Sequence, residues 1–156
     1  MYSLKVNYVV LILIKMGSRF TGGNFNIQPD KVEEAYKHVQ NIAVECVTSV
    51  KKCKEYDLSM DDVEQILNCG NLVQVMKVFE FDVGLDDRYG LYVDNMPEER
   101  YKEWYIRPIF AILASFAMDG NYIEYVNECD ECYRWVVENG KLIDKKGNKV
   151  IVWDTV

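Results

Sequence analysis

The chain has 156 residues, 49% of them hydrophobic and 28% charged, which fits one globular domain spanning 1–156 and argues against long-range disorder. A formal net charge of −7, from 25 acidic and 18 basic residues, disfavours a phosphate-binding surface and hence a nucleic-acid partner. Solubility alone explains that charge, and the same charge permits docking on a basic partner.

The first fifteen residues contain an apolar run, Val9 to Ile14. The run is too short to span a bilayer as a helix, so no membrane association is expected. Its β-branched content fits a buried strand. A different reading starts the natural chain at Met16 and makes residues 1–15 a non-essential extension. Arg19 to Ile27 alternates Phe20, Phe25 and Ile27 around Gly22 and Gly23, as in a strand broken by a glycine bend or bulge.

Pro29 and Asp30 open a helix, with Asp30 and Glu33 spaced as a capping box. Apolar side chains from Val32 through Ala35, Val39, Ile42, Cys46, Val47 and Val50 to Cys53 form one stripe, predicting a long amphipathic helix that ends near Lys54. Ser59 with Asp62 marks a second helix start, and Gly70 fits a left-handed stop after Cys69. Leu72 to Val83 reads as a strand. Asp86-Asp87-Arg88 is turn chemistry, and Gly90 to Val93 is the return strand of a hairpin.

Pro97 with Glu98 and Glu99 suits a helix start. That helix continues through Tyr101, Trp104 and Tyr105, and Pro108 is expected to kink or split it. Ile109 to Met118 is apolar nearly all round and predicts the most buried helix. Short β-patterned runs follow at Tyr122–Val126, Cys132–Val137, Lys141–Ile143 and Lys149–Trp153. The expected fold is therefore α+β: an antiparallel sheet with a C-terminal meander, packed by one long amphipathic helix and one buried helix.

The segment from Phe116 through Asp119-Gly120-Asn121-Tyr122-Ile123-Glu124, then Tyr133-Arg134-Trp135-Val136-Val137 to Gly140-Lys141, then Val152-Trp153, resembles the ending of a family of small uncharacterised bacterial and phage proteins. In that family a buried helix meets a D-G-S-Y-I-E-type turn and strand, followed by a W-R-W-V-F-type strand. Gly23 to Ile27 with Pro29-Asp30-Lys31-Val32 is similar to the family's opening strand and helix. The resemblance implies the meander and carries no activity. Asn127 to Cys132 departs from the family's glycine-containing turn, and Asn121 stands where Ser is usual.

Little in the chain carries chemistry. Cys129-Asp130-Glu131-Cys132 has the spacing of half a zinc knuckle, but no second such pair exists and His38 is the only histidine. A strand on either side and two acids between the thiols oppose thioredoxin-type activation. A hairpin tip with two incidental cysteines explains the motif, and no metal or cofactor is expected. Cys46 and Cys53 sit on the apolar stripe as small hydrophobes. An odd count of five cysteines, in a chain able to form its own core, fits reduced thiols in the cytoplasm. His38 reads as a solvated helix residue. The acidic pairs Glu33-Glu34, Asp61-Asp62, Asp86-Asp87 and Glu98-Glu99 fall at helix starts or in a turn, where capping and dipole effects account for them.

Aromatic residues beside arginine are enriched at interface hot spots. On that ground Tyr101, Trp104, Tyr105, Arg100, Arg107 and Arg134 are the candidate binding residues. The expectation is a non-enzymatic protein that binds another macromolecule, most naturally a protein. An accessory factor of a phage or mobile element that inhibits a host protein is one concrete form. The alternative is a small enzyme or ligand-binding domain using aromatic and acidic groups beside the sheet.

Overall fold

The structure is a computed structural model that describes residues 17–95 and 103–148. The Val9–Ile14 run, the helix start at Pro97 and the closing strand through Trp153 lie outside the described residues.

The architecture is α+β, built on two antiparallel sheets. The larger has four strands in the order β1 (Arg19–Gly23), β5 (Tyr122–Val126), β6 (Cys132–Glu138), β7 (Lys141–Lys146). The smaller has three, in the order β2 (Asn26–Ile27), β4 (Gly90–Asn95), β3 (Asp82–Asp86). The run read as one bent strand from Arg19 to Ile27 thus serves both sheets. A register shift between Phe20 and Gly22 marks the expected bulge. Two asparagines fasten the seam: Asn26 N–H donates to Asn121 Oδ1 (2.9 Å), and Tyr122 N–H donates to Asn24 Oδ1 (2.8 Å).

Period-two alternation decides which face of the meander is buried. Ile123, Tyr125, Trp135, Val137 and Leu142 point into the core. Tyr133, also expected inward, is half-buried and stacks on Tyr125 with ring centroids 5.5 Å apart. An aromatic cluster fills the interior. Phe110 meets Phe25 and Phe81 edge-on, each at 4.9 Å, and lies 6.0 Å from Trp135. Such pairs contribute about 0.5–1.5 kcal/mol each beyond their buried area.

Phe110 belongs to the buried helix α5 (Glu103–Leu113), numbered after four helices earlier in the chain: α1 (Val32–Thr48), α2 (Val50–Glu55), α3 (Met60–Leu67) and α4 (Leu72–Val78). Pro108 lies inside α5 without splitting it. The tolerance is physical: the neighbouring Ile106, Ile109, Phe110 and Leu113 are all fully buried, and that burial outweighs one missing N–H bond. The apolar segment beyond α5 tightens into a 3-10 turn at Ala114–Phe116, and Met118 at its expected end is exposed.

Four other expectations are corrected. The long helix is two, because Ser49 is extended (φ −148°, ψ 108°), and Val47 and Val50 on either side of the break are exposed. Its start is a 3-10 turn at Pro29–Lys31 with no side-chain cap from Asp30. Leu72–Val83 is not one strand but α4 followed by β3. Leu72, Val75, Met76 and Phe79 are buried at helical spacing, and the Asn71 side chain caps the start by accepting from Gln74 N–H. Gly70 is not left-handed: α3 ends at Asn68 in a right-handed conformation, and Gly70 N–H donates to Gln74 Oε1. The Tyr36 hydroxyl and the Gln40 amide of α1 satisfy the carbonyls there, donating to Cys69 O (2.8 Å) and Ile66 O (2.7 Å). The Ser59–Asp62 capping box forms as expected, with both reciprocal bonds at 3.1 Å. Among the described residues no helix is long and apolar enough to cross a membrane.

Candidate functional site

Of the residues expected to bind, Arg100 and Tyr101 lie outside the described residues. The remaining four do not form one surface. Arg107 grips Asp144 of β7 through Nε (3.0 Å) and Nη2 (2.7 Å), and Nη2 also donates to Leu142 O (3.3 Å). That two-pronged pair ties α5 to the sheet edge and is structural. Arg134 sits on the opposite face of the sheet, paired with Glu124 at 2.6 Å and stacked 4.1 Å over the Tyr122 ring.

Tyr105 is anchored inward. Its hydroxyl donates to Asp62 Oδ1 (3.1 Å), and burial, reinforced by the Asp62 charge, pushes its pKa up to about 12. Trp104 is exposed, with its ring edge-on to Tyr105 at 6.5 Å. It borders an open cleft of about 300 Å³ with Ser18, Glu103 and the β5–β6 turn, where the Ser18 hydroxyl donates to Glu103 Oε2 (2.7 Å).

Cys129 and Cys132 flank that β5–β6 turn, Cys129 exposed and Cys132 half-buried, and all five cysteines are free thiols. The turn is held by Asn127, whose Oδ1 accepts from the N–H groups of Cys129 (3.0 Å) and Glu131 (2.8 Å). Glu131 in turn accepts from Lys146, the Asn127 amide and the Tyr133 hydroxyl, which together lower its pKa to about 2. These bonds account for the turn without an ion. Among the described residues no group of three or more His, Cys, Asp or Glu is placed to hold a metal. His38 is half-buried rather than solvated, its ring 5.3 Å from that of Phe116.

A second open cleft lies on the β3–β4 hairpin. In β4, Leu91 points into the core, which turns Tyr92 outward. Tyr92 pairs with Asn26 on one side and Gly84 on the other. A Cβ at Gly84 would run into the Tyr92 ring, so the missing side chain is what lets the ring lie across β3. The turn is shaped by Asp86, whose Oδ1 accepts from the N–H groups of Arg88 (2.9 Å) and Tyr89. Gly90 closes it at φ +73°, packed so tightly that a Cβ would overlap the Ile27 carbonyl.

This turn presents Tyr89, 55% exposed, with the Arg88 guanidinium 5.1 Å from its ring. Leu85, paired with Leu91 and so on the other face of the hairpin, is 53% exposed. Asn26, Asp86, Tyr89 and Tyr92 line an open cleft of about 430 Å³. The hairpin carries Asp82, Asp86, Asp87 and Asp94 against one Arg88. It therefore joins aromatic surface to negative potential, an arrangement suited to a cationic partner.

Of the hairpin residues only the Asp86-Asp87 pair was weighed in the sequence, and it was explained as turn chemistry. The available signal was the strand alternation around Leu91, which puts Tyr92 on the solvent face, with Tyr89 in the adjoining turn. The glycine that lays Tyr92 flat stands on the neighbouring strand. No protein-family model, curated protein or solved structure matches this chain.

Proposed function

We propose that this protein is not an enzyme and acts in the cytoplasm by docking on a basic surface of another protein, through the exposed face of the β3–β4 hairpin. The observation that carries the reading is the hairpin itself: Tyr89 exposed in the turn, Tyr92 lying across Gly84 on the face away from Leu91, and four aspartates along the two strands and the turn. Tyrosine and arginine supply most of the energy at protein interfaces, because a rigid ring covers much area at low entropy cost. The acidic fringe speeds encounter with a basic partner and repels nucleic acid.

The side chains an enzyme reading would need do not converge. Arg107 and Arg134 occupy different faces of the sheet and are paired with Asp144 and Glu124. Tyr105 is bonded to Asp62. One concrete form of the function is a phage or mobile-element accessory protein that inhibits a host protein, in keeping with the acidic charge and the family resemblance.

Site-specific photo-crosslinking in cells of the native host tests the docking. A photoreactive aromatic residue at Tyr89 should give a discrete protein adduct, and one at Val44, equally exposed but on α1, should not. Equal adducts from both positions, or none from Tyr89, would refute the proposal.

A further inference from the structure

We infer that the cleft between Asn26, Asp86, Tyr89 and Tyr92 receives an arginine side chain of the partner, the guanidinium lying against tyrosine and facing the Asp86 carboxylate. The inference rests on the docking reading and adds the recognition chemistry.

Three observations lead to it. The first is the lining: two phenol rings, one carboxylate and one amide around about 430 Å³ of open space. The face of an aromatic ring is negative and attracts a cation. A planar guanidinium can lie on such a ring and still donate N–H groups sideways to a carboxylate or amide oxygen, which an ammonium does less well.

The second is that the chain builds this arrangement elsewhere from its own residues. Arg134 stacks 4.1 Å over Tyr122 while its Nη2 reaches Glu124 Oε2 at 2.6 Å. The hairpin cleft offers the same combination, ring and carboxylate, at the surface. Arg88 over Tyr89 is a second case in this chain of a guanidinium lying on a tyrosine ring.

The third is preorganisation. Asp86 Oδ1 is fixed by two backbone N–H groups, which orients the carboxylate and leaves its charge in place. Tyr92 is fixed by its fit over Gly84. Neither group has to be ordered when the guest arrives, so little entropy is lost on binding. The carboxylates of Asp82, Asp87 and Asp94 add a field of the same sign.

The test uses the full 156-residue chain, isotope-labelled, titrated with the peptide acetyl-Gly-Arg-Gly-amide and followed by backbone amide shifts. Two comparison peptides carry citrulline, which keeps the shape and removes the charge, or lysine. The arginine peptide should produce saturable shifts centred on Asn26, Gly84, Gly90 and Tyr92, with affinity in the range of about 1 mM, as suits one side chain. Citrulline should bind at least about fivefold more weakly, the size of a partly exposed cation–ring contact.

Two variants carry the same expectation of about fivefold weakening. Asp86→Asn removes the charge but keeps an oxygen for the two turn N–H groups, so the hairpin persists. Tyr89→Leu removes an exposed ring and leaves the core untouched. Citrulline or lysine binding as well as arginine, shifts centred elsewhere, or wild-type affinity in both variants would overturn the inference. A Tyr89 adduct without arginine binding overturns this inference alone. Arginine binding without a Tyr89 adduct overturns the docking reading alone.

Discussion

Replacing Trp135 probes the core on which both sheets depend. The indole is fully buried, with ring centroids of Tyr125, Phe20 and Phe110 at 5.2, 5.7 and 6.0 Å. Truncating such a side chain to alanine removes its transfer energy and leaves a cavity whose walls are rigid rings, at a cost of about 3–5 kcal/mol. Against a domain stability of about 5–15 kcal/mol this is a large fraction. With a urea dependence of about 2 kcal/mol per molar, the unfolding midpoint should fall by about 2 M. Trp135→Phe separates packing from polarity. The indole Nε1 has no hydrogen-bond partner, although the Tyr125 hydroxyl is close enough to feel it. A buried unpaired N–H costs about 1–3 kcal/mol, and phenylalanine removes that penalty while keeping one ring. Trp135→Phe should therefore lose no more than about 1–2 kcal/mol. Equilibrium urea unfolding followed by far-ultraviolet circular dichroism measures both. An alanine variant with a wild-type midpoint would mean the indole is not core. A phenylalanine variant as unstable as alanine would mean the N–H has a partner.

Glu131 should titrate with a midpoint near pH 2 in a carboxyl-detected NMR experiment, because Lys146, Asn127 and Tyr133 all donate to it. Its folded pKa lies below the unfolded value, so its contribution is full above the ordinary carboxylate range and disappears as pH falls toward 2. A midpoint at an ordinary glutamate value would remove the bonding scheme of the β5–β6 turn. Gly90→Ala should destabilise by about 2 kcal/mol or more, combining left-handed strain with overlap on the Ile27 carbonyl. Gly120→Ala, at φ +87° with nothing within 4 Å of the new Cβ, should show the strain alone, about 1–2 kcal/mol. Equal losses at the two positions would show that the hairpin relaxes around an added methyl group. Alkylation with iodoacetamide at pH 8 should label Cys129 well before Cys46, which is buried and whose pKa is pushed to about 12 by that burial and by Cys53. Mass spectrometry of the labelled peptides reads the order, and simultaneous labelling would contradict the packing of α1.

The fold was legible wherever one periodicity dominated. Tyr122 to Val126 and Cys132 to Glu138 alternate without interruption, and turn residues separate them, so the meander followed from pattern alone. Leu72 to Val78 misled because two periods coexist. Val73, Val75 and the later phenylalanines satisfy a period of two, while Leu72, Val75, Met76 and Phe79 satisfy a helical one. Tertiary burial of the second set, together with the Asn71 cap, decides for helix. The period-two alternation carried the strand reading, and a local pattern yields to packing. The break at Ser49 was hidden for a related reason. The stripe through Val47 and Val50 continues the pattern on paper, yet both residues are exposed once the helix changes direction.

The proposed docking surface was less legible because it depends on pairs distant in sequence. Nothing local distinguishes Arg107 from a solvent-exposed arginine, and its partner Asp144 lies 37 residues later. Arg134 is likewise explained by Tyr122 and Glu124 on the neighbouring strand. Arg107 and Arg134 are paired with carboxylates away from the hairpin, and Arg88 on Tyr89 offsets only one of the hairpin's four aspartates. The proposed docking of a guanidinium supplied from outside rests on that remaining negative charge beside two rings. The net charge of −7 permits a basic partner and is equally explained by solubility, whereas the cross-strand register of Tyr92 on Gly84 is what defines the proposed cleft.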